Sequence, residues 1–411
     1  MKLDCPYAGK CGACKYTKEN YEESLAGKLM YLEKLLKEFV PVNEIVGMDE
    51  PFNYRNKIHT AFASDRSKKI VSGIFEEGTH KVVPTDSCKI EDEEAAKLSA
   101  TIKKLMPGFK MLPYDEDRHT GFLRYTLVRV GKVTGEVMLV LVTGTNMFPG
   151  KKNFVKAMLK EHPEITTIVW NINDKNTSMV LGKREEVIYG KGFIVDELCG
   201  KKFKISAKSF YQINHDQTEL LYGKGIEYAG LAGNERVFDA YSGIGTIGII
   251  AADKAKEVIS VELNKDAVAD ANVNAKLNGV TNIKFFEDDA GRFMTKMAEK
   301  GEKVDVLFMD PPRSGSSEEF IKAIGVLKPK KIVYISCGPE SLARDLKGIT
   351  KLGYKCEKAT AYDLFPWTEH VESCMLLERV SNRKADSYVK LNVKMEDYYR
   401  IKDAEGGEAD G

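Results

Sequence analysis

The sequence lacks several features that would define its class at once. It has no run of about 20 apolar residues that would span a membrane, and the residues from Met1 to Cys5 do not begin a signal peptide. It also contains no internal repeat and no low-complexity domain. These absences argue against a membrane protein and a repeat protein, and they predict a globular protein of the cytosol.

An excess of charge of one sign is also missing. The chain has 62 Lys and Arg against 61 Asp and Glu, so its formal net charge is +1. A nearly neutral chain has no general basic coat for nucleic acid, and any contact with RNA must come from a local patch.

The 411 residues exceed one ordinary core and predict several domains. Residues 1–90 hold a cysteine cluster, a helix and the start of a β-rich region, which continues as a central domain over 91–206. Across 207–381 short apolar strands alternate with helices, which predicts a parallel, doubly wound α/β sheet. Residues 382–411 form a charged tail that we expect to be frayed.

A glycine turn follows the first strand of the α/β region. Gly243 and Gly245 lack a Cβ, so a ligand can approach their backbone closely. Glu262 ends the next strand, where a carboxylate can accept both ribose hydroxyls of an adenosine. This pattern suits a nicotinamide dinucleotide and S-adenosylmethionine equally, because Gly243, Gly245 and Gly248 also match the dinucleotide fingerprint.

Two acidic motifs further along favour S-adenosylmethionine. Asp288-Asp289 closes the third strand, where a methyltransferase places a carboxylate near adenine, and Asp310-Pro311-Pro312-Arg313 closes the fourth. A dehydrogenase has no use for the second motif. The alternative interpretation of Asp-Pro-Pro is a turn that ends a strand, because proline cannot continue a ladder.

Cys337 follows an apolar strand, at the edge where open α/β sheets bind ligands. Carbon 5 of uracil is a weak nucleophile, but a thiolate that adds at carbon 6 creates an enolate whose carbon 5 can accept a methyl group. Carbon 5 must then lose its proton, and Glu372 is the candidate base. The alternatives are a core cysteine and a solvated carboxylate.

Several motifs in this order resemble the RNA uracil-5-methyltransferase family over residues 5 to 380. They are Ser209-Phe210-Tyr211-Gln212-Ile213-Asn214, the turn from Asp239 to Gly245, Asp310-Pro311-Pro312-Arg313, Ser336-Cys337-Gly338-Pro339 with Arg344-Asp345, and His370-Val371-Glu372. The resemblance implies a C-terminal Rossmann-like methyltransferase domain behind a β-rich RNA-binding region. The TRAM-type barrel that many members carry in front is expected to be absent.

The resemblance also implies roles for single residues. Cys337 would be the nucleophile and Glu372 the proton acceptor, and Phe210 would stack near the target base. S-adenosylmethionine, beside Gly243 and Gly245, would contact Gln212, Tyr241, Glu262, Asp289 and Asp310.

Four cysteines supply thiolates for one metal site: Cys5, Cys11, Cys14 and the distant Cys88. By spacing alone, a structural zinc and an iron–sulfur cluster are both plausible. Similar family members carry a 4Fe–4S cluster at this pattern, so the resemblance favours the cluster. Its predicted role is to hold the RNA-binding region in place.

Arg55 and Arg124 lie in basic and aromatic segments and are the candidate contacts to RNA, although a solvated face is the alternative. The target uridine should lie in a loop or be flipped out. The cysteine cluster favours 23S ribosomal RNA over transfer RNA, because the ribosomal branch of the family resembles this chain more closely. A nicotinamide oxidoreductase and a non-catalytic RNA-binding metalloprotein are the other two classes.

Overall fold

The computed structural model describes residues 1–76, 78–177 and 179–380. The predicted charged tail, 382–411, therefore lies outside the described residues. Helices in the described part are α1 (Tyr21–Leu36), α2 (Glu93–Leu105), α3 (Lys151–Glu161), α4 (His215–Ala229), α5 (Thr246–Ala252), α6 (Lys265–Leu277), α7 (Ala290–Glu299), α8 (Glu318–Leu327) and α9 (Pro339–Thr350).

The strands form two large sheets and one hairpin. They are β1 (Ile45–Val46), β2 (Lys57–Ser64), β3 (Ile70–Phe75), β4 (Val82–Pro84), β5 (Leu123–Val130), β6 (Val137–Thr143), β7 (Ile165–Ile172), β8 (Arg184–Tyr189), β9 (Phe193–Leu198), β10 (Lys201–Ser206), β11 (Arg236–Ala240), β12 (Glu257–Glu262), β13 (Ile283–Glu287), β14 (Val306–Met309), β15 (Lys331–Ser336), β16 (Tyr354–Tyr362) and β17 (Glu372–Arg379).

The larger sheet has the order β1-β16-β17-β15-β14-β11-β12-β13. Neighbouring strands from β11 to β15 are parallel, and β17 runs antiparallel to both β15 and β16. Helices alternate with the strands, as parallel connections require. The predicted doubly wound α/β region is confirmed, and its predicted strands match β11 to β15.

Helix α1 belongs to the core of this sheet. It starts at Tyr21 with a capping box, in which the Asn20 side chain and the Glu23 side chain each bind the other's backbone N–H. Leu32 and Leu36 are fully buried in one apolar cluster with residues of β11, β14 and β15. The predicted helix therefore packs on the α/β sheet, although its sequence lies far from that region.

The second sheet has seven strands in the order β4-β3-β2-β5-β6-β7-β8. All neighbours are antiparallel except β6 and β7, which are parallel and are joined through α3. Helices α2 and α3 contribute to the apolar cluster on one face. The predicted boundary between residues 90 and 91 falls between β4 and α2, within this one layer.

A buried ion pair ties α1 to the chain that follows β16. The Lys28 ammonium donates to Asp363 at 2.6 Å, and both side chains are almost inaccessible. The Tyr21 hydroxyl donates to the other carboxylate oxygen at 2.9 Å, and Lys28 also donates to the Phe365 carbonyl at 3.0 Å. Burial raises the pKa of Asp363, and the Lys28 charge opposes that rise. The pair fixes the segment that leads to β17.

Lys28→Met should lower the free energy of unfolding by about 3–5 kcal/mol, because it leaves the Asp363 carboxylate buried without its cation. Urea denaturation followed by circular dichroism measures the change. Lys34→Met, at an exposed position of the same helix, is the matched control. A loss below about 1 kcal/mol for Lys28→Met would show that the pair does not hold the segment.

No helix within residues 1–76, 78–177 or 179–380 combines the length and the apolar character that crossing a membrane requires.

Candidate active site

The carboxyl edge of the α/β sheet gathers the predicted polar residues. Tyr241, Asp310 and Cys337 each directly follow a strand, namely β11, β14 and β15. These three strands are neighbours, since Ala240 pairs with Met309 and Met309 with Tyr334. Glu262 ends β12, and Asp289 lies just beyond β13. The parallel register therefore brings residues that are far apart in sequence to one edge.

The glycine turn after β11 forms an open cradle. Gly243 and Gly245 adopt left-handed backbone angles, with φ of +55° and +84°. A Cβ at Gly243 would meet no atom within 4 Å, so the turn borders open space. The side-chain oxygens Oγ of Ser242 and Oδ1 of Asp239 are buried without a partner among the described residues. Unpartnered buried acceptors beside an open glycine turn fit a polar ligand.

Two carboxylates of this edge are fixed by backbone donors. Glu262 accepts hydrogen bonds from the N–H groups of Gly243 at 3.0 Å and Asn264 at 2.8 Å. Asp289 is the N-cap of α7 and accepts from the Arg292 N–H at 2.9 Å. These bonds hold both carboxylates in place. Glu262 and Asp289 are therefore preorganised to accept hydrogen bonds from a ligand beside the glycine turn.

In the Ser209–Asn214 motif, Gln212 lies next to the glycine turn, whereas Phe210 is exposed to solvent. Burial raises the pKa of the Tyr222 hydroxyl, and the side chains of Gln212 and Thr246, which lie beside that hydroxyl, oppose the rise. Gln212 therefore lies beside the start of α5, next to the glycine turn. Phe210 is 66% exposed, which leaves its ring free to stack on a ligand.

Cys337, just after β15, and Glu372, the first residue of β17, lie side by side at the ends of neighbouring strands. Strands β15 and β17 are antiparallel and pair Ser336 with Ser373, so one further step places Cys337 opposite Glu372. Cys337 is partly exposed, whereas Glu372 is 2% exposed. No local pattern in the sequence predicts this pairing, because it depends on the register of two strands that are 36 residues apart in sequence.

Neighbouring charges act on both groups. Burial, Glu372 and Asp310 raise the pKa of the Cys337 thiol to about 12, and the Arg313 guanidinium opposes them. Burial and Asp310 hold the pKa of Glu372 well above its usual range, and Arg313 again opposes them. Burial raises the pKa of Asp310 to about 7. Arg313, which the sequence indicated only as part of a motif, is thus the cation of this cluster.

A cavity of about 710 Å³ opens in front of Cys337. Its walls include Arg313 and His370 from the sheet edge, and Tyr16 from the N-terminal segment. This volume is in the range of small-molecule sites and accommodates a flipped-out base. The contribution of Tyr16 was missed, since nothing in its local sequence distinguishes it from a packing residue.

Arg344 and Asp345 support this edge from α9. The buried Asp345 carboxylate accepts from the Ser316 N–H and the Tyr334 hydroxyl, both at 2.7 Å, and pairs with Arg344. Arg344 also donates to the Ser314 carbonyl at 2.8 Å. These bonds fix the loop that follows Asp310 and Arg313.

The four predicted metal-ligating cysteines line a second cavity, of about 340 Å³. Cys5, Cys11, Cys14 and Cys88 all contribute to its wall. Burial and the other three thiols raise the pKa of Cys14 to about 12, which reflects their mutual proximity. In the part of the chain that is described, no three His, Cys, Asp or Glu side chains converge as they would on a single metal ion.

Trp367 connects this cavity to the Cys337 edge. It is fully buried against Tyr21 and Tyr54, in a cluster that Cys5, Cys14 and Cys88 border. The carbonyl of Trp367 accepts from the N–H groups of Lys15 and Tyr16, at 2.8 and 3.0 Å. The chain that follows the first three cysteines is therefore anchored to the segment preceding Glu372.

The two predicted RNA contacts differ in accessibility. Arg55 lines the cysteine cavity and is half-buried. Arg124 is 2% exposed, pairs with Glu116 through two nitrogens, and donates to the carbonyls of Asn173 and Lys175. Burial and these four bonds argue against a direct contact of Arg124 with RNA, and that contact stays a prediction.

Comparison with known proteins extends over most of the chain. A family model described as tRNA (uracil-5-)-methyltransferase matches residues 20–380. An uncharacterized RNA methyltransferase of Halalkalibacterium halodurans is 38% identical over 92% of this chain and 83% of its own length. Another from Caldanaerobacter subterraneus is 40% identical over 92% of this chain and 84% of its own length.

A solved structure is similar in fold and sequence. It is the tRNA (uracil-54, C5)-methyltransferase of Pyrococcus abyssi in complex with S-adenosyl-L-homocysteine. The TM-score is 0.74 at 30% identity, with 87% of this chain and 83% of that chain covered. The residues matched by the family model, 20–380, include the strands of both sheets and Cys337.

Proposed function

The chain belongs to the tRNA (uracil-5-)-methyltransferase family, and from this premise we propose that it methylates carbon 5 of a uridine in RNA through a covalent adduct with Cys337. The observation that carries the proposal is the position of Cys337 beside Glu372, at the sheet edge that also holds the glycine turn. A nucleophile and a base side by side match what this reaction requires.

In the proposed mechanism, the Cys337 thiolate attacks carbon 6 of the uracil, and the electrons of the 5,6 double bond move towards the carbonyl oxygen at carbon 4. Carbon 5 would then take the methyl group, whose bond to the sulfonium sulfur of the donor breaks and leaves its electron pair on that sulfur. Glu372 removes the proton from carbon 5, the double bond re-forms, and the Cys337 thiolate leaves. A carboxylate with a raised pKa is a stronger base, which suits Glu372 to this step.

S-adenosylmethionine, when bound, supplies an electrophilic methyl group. The residues that would hold it are those of the cradle and its edge, where unpartnered buried acceptors and fixed carboxylates fit a polar, cationic ligand. The proposed contacts are Gln212, Tyr241, Gly243, Gly245, Glu262, Asp289 and Asp310. The bound S-adenosyl-L-homocysteine of the Pyrococcus abyssi relative supports S-adenosylmethionine as the methyl donor.

Activity should rise with pH, because the raised pKa of Cys337, about 12, keeps the thiol protonated near neutrality. Between about pH 6 and pH 9 the thiolate fraction of such a thiol grows tenfold per pH unit. Arg313→Gln removes the cation that opposes this rise, so its profile should shift to higher pH, with about a tenfold loss at pH 7 for one pKa unit. The initial rate of methyl transfer across this range is the measurement.

Arg313→Lys is the control for that shift, because it keeps a positive charge near the thiol. We expect its profile to lie between those of the wild type and Arg313→Gln. A pH profile for Arg313→Gln that coincides with the wild type would show that Arg313 does not act on the thiolate.

We propose a 4Fe–4S cluster held by Cys5, Cys11, Cys14 and Cys88. Four soft thiol donors around one cavity support it, and its role would be structural, since the cavity borders the Trp367 cluster. Protein purified without oxygen should contain about four iron and four sulfide per chain, and Cys14→Ser should lose both. A content of one zinc and no sulfide per chain would show that the site holds a structural zinc and not an iron–sulfur cluster.

Ribosomal RNA, specifically 23S, is the proposed substrate, because the four-cysteine pattern resembles the ribosomal branch of the family. A transfer RNA is the second candidate, favoured by the similarity to the Pyrococcus abyssi relative, which is a tRNA methyltransferase. Unmodified total RNA, separated into ribosomal and transfer fractions and incubated with methyl-labelled S-adenosylmethionine, distinguishes them. Label confined to the transfer fraction would replace the first candidate by the second.

A further inference from the structure

A basic groove lies on the seven-stranded sheet, away from the Cys337 cavity. Five lysines line it: Lys68, Lys69, Lys103, Lys104 and Lys110. Its volume is about 730 Å³, and none of the described residues that line it is acidic. In a chain whose formal net charge is only +1, this lysine groove is a marked local excess of positive charge.

Three segments build the lysine groove. Lys68 and Lys69 come from the turn between β2 and β3, where Asp65 accepts the N–H of Lys69 at 2.9 Å and fixes the turn. Lys103 and Lys104 belong to the last turn of α2, and Lys110 follows that helix. Because the turn and the helix end are held by the sheet beneath them, the lysines are presented together.

The charges of the lysine groove are largely available. Lys103 pairs with Asp86. For Lys68, Lys69, Lys104 and Lys110, all of them exposed, no salt bridge occurs within the part of the chain that is described. The floor is apolar and includes Leu112, which is 66% exposed. Exposed ammonium groups beside apolar side chains can contact the phosphates and sugars of a nucleic acid without reading its sequence.

The lysine groove and the cysteine cavity lie at opposite ends of β2. Lys57, the first residue of that strand, lines the cysteine cavity, and Ser64, the last, lines the groove. Eight residues of strand span about 23 Å, and none of the residues that line the groove lines the cavity of Cys337. A ligand in the groove is thus separate from the reacting base.

We propose that the lysine groove binds the phosphate backbone of the substrate RNA, at a site remote from the target uridine. The inference rests on the proposed function and adds where the RNA is held. Five lysines in one groove, with no carboxylate among its described lining residues, match the repeated negative charges of an RNA backbone.

The test uses the full-length protein and measures the dissociation constant of unmodified ribosomal RNA over a range of salt concentrations. The variant is the triple substitution Lys68→Gln, Lys104→Gln and Lys110→Gln. The matched control is Lys300→Gln, Lys303→Gln and Lys351→Gln, three exposed lysines beside the amino edge of the α/β sheet, opposite Cys337.

We expect the groove variant to weaken RNA binding by about tenfold or more and to reduce the slope of log K against log salt by about 2. The control should keep the wild-type affinity and salt slope. Substitution of the three groove lysines by Arg should also give the wild-type affinity and slope. At saturating RNA the groove variant should methylate as fast as the wild type, since the cavity of Cys337 is untouched.

Equal affinities and salt slopes for the groove variant and the control would overturn the proposal. So would displacement of the RNA by polyglutamate as effectively as by RNA of equal charge, which would indicate an acidic protein partner instead. This result differs from a failure of the proposed function. In that case the wild type would transfer no methyl group to RNA, whether or not the groove variant and the control bind RNA equally.

Discussion

Cys337→Ala should reduce methyl transfer to RNA by about 10⁴-fold or more, because without the thiolate carbon 5 of the uracil is never activated. The substitution is small and Cys337 lies at a partly exposed strand end, so the fold should be retained. The rate is measured with methyl-labelled S-adenosylmethionine under single-turnover conditions. Cys199→Ala, which removes another partly exposed thiol, should stay within about threefold of the wild type.

A modified RNA substrate should trap the predicted covalent complex between Cys337 and the base. RNA that carries 5-fluorouridine leaves no proton on carbon 5 after methylation, so the adduct with Cys337 should persist. A protein band of reduced mobility that survives denaturation is expected for the wild type and absent for Cys337→Ala. Methyl transfer by Cys337→Ala at a rate near that of the wild type would refute the covalent mechanism.

Glu372→Gln should block the release of product and leave the earlier steps possible. The amide cannot accept the proton of carbon 5, so turnover should fall by about 10²- to 10⁴-fold while a covalent protein–RNA complex accumulates. Up to one methyl group per protein should be incorporated. A denaturing gel and the stoichiometry of label measure the two effects.

Glu378→Gln, at the other end of β17, is the matched control for this amide substitution. It should neither trap a complex nor slow turnover appreciably, since its side chain is half-exposed. If Glu372→Gln turns over within tenfold of the wild type, another group accepts the proton, and Asp310 is the next carboxylate to substitute.

The strand ends of the α/β sheet could be predicted from the sequence. Apolar runs broken by Gly, Pro or Asp indicate where buried parallel strands stop, and this rule placed Asp310 and Cys337 at the carboxyl edge. The partner of Cys337 could not be placed in this way. Its position depends on the antiparallel register of β15 and β17, which no local pattern contains.

The sequence did not indicate which charged residues are buried. Arg124 lies on β5, whose neighbours in the sheet are β2 and β6, and apolar clusters cover both of its faces. An arginine in such a strand is held by buried acceptors, here Glu116 and two carbonyls, and not by solvent. The sequence did not distinguish a buried structural arginine from one that contacts RNA, because an arginine side chain serves either role.

Packing between segments that are distant in sequence also could not be predicted from local sequence patterns. The sequence predicted a helix within residues 1–90, but the surface on which it packs, the α/β sheet, is determined by tertiary contacts of Leu32 and Leu36. The same holds for Trp367, which joins the cysteine cavity to the segment before Glu372. A single tryptophan in an aromatic run gives no indication of such a connection.

The most direct test of the account is the identity of the methylated nucleoside. Protein prepared without oxygen is incubated with unmodified RNA and methyl-labelled S-adenosylmethionine, and the RNA is then digested to nucleosides and separated. The account predicts that all transferred label elutes as 5-methyluridine. Label in any other nucleoside, or no transferred label from folded protein that binds S-adenosylmethionine, would contradict the proposed function.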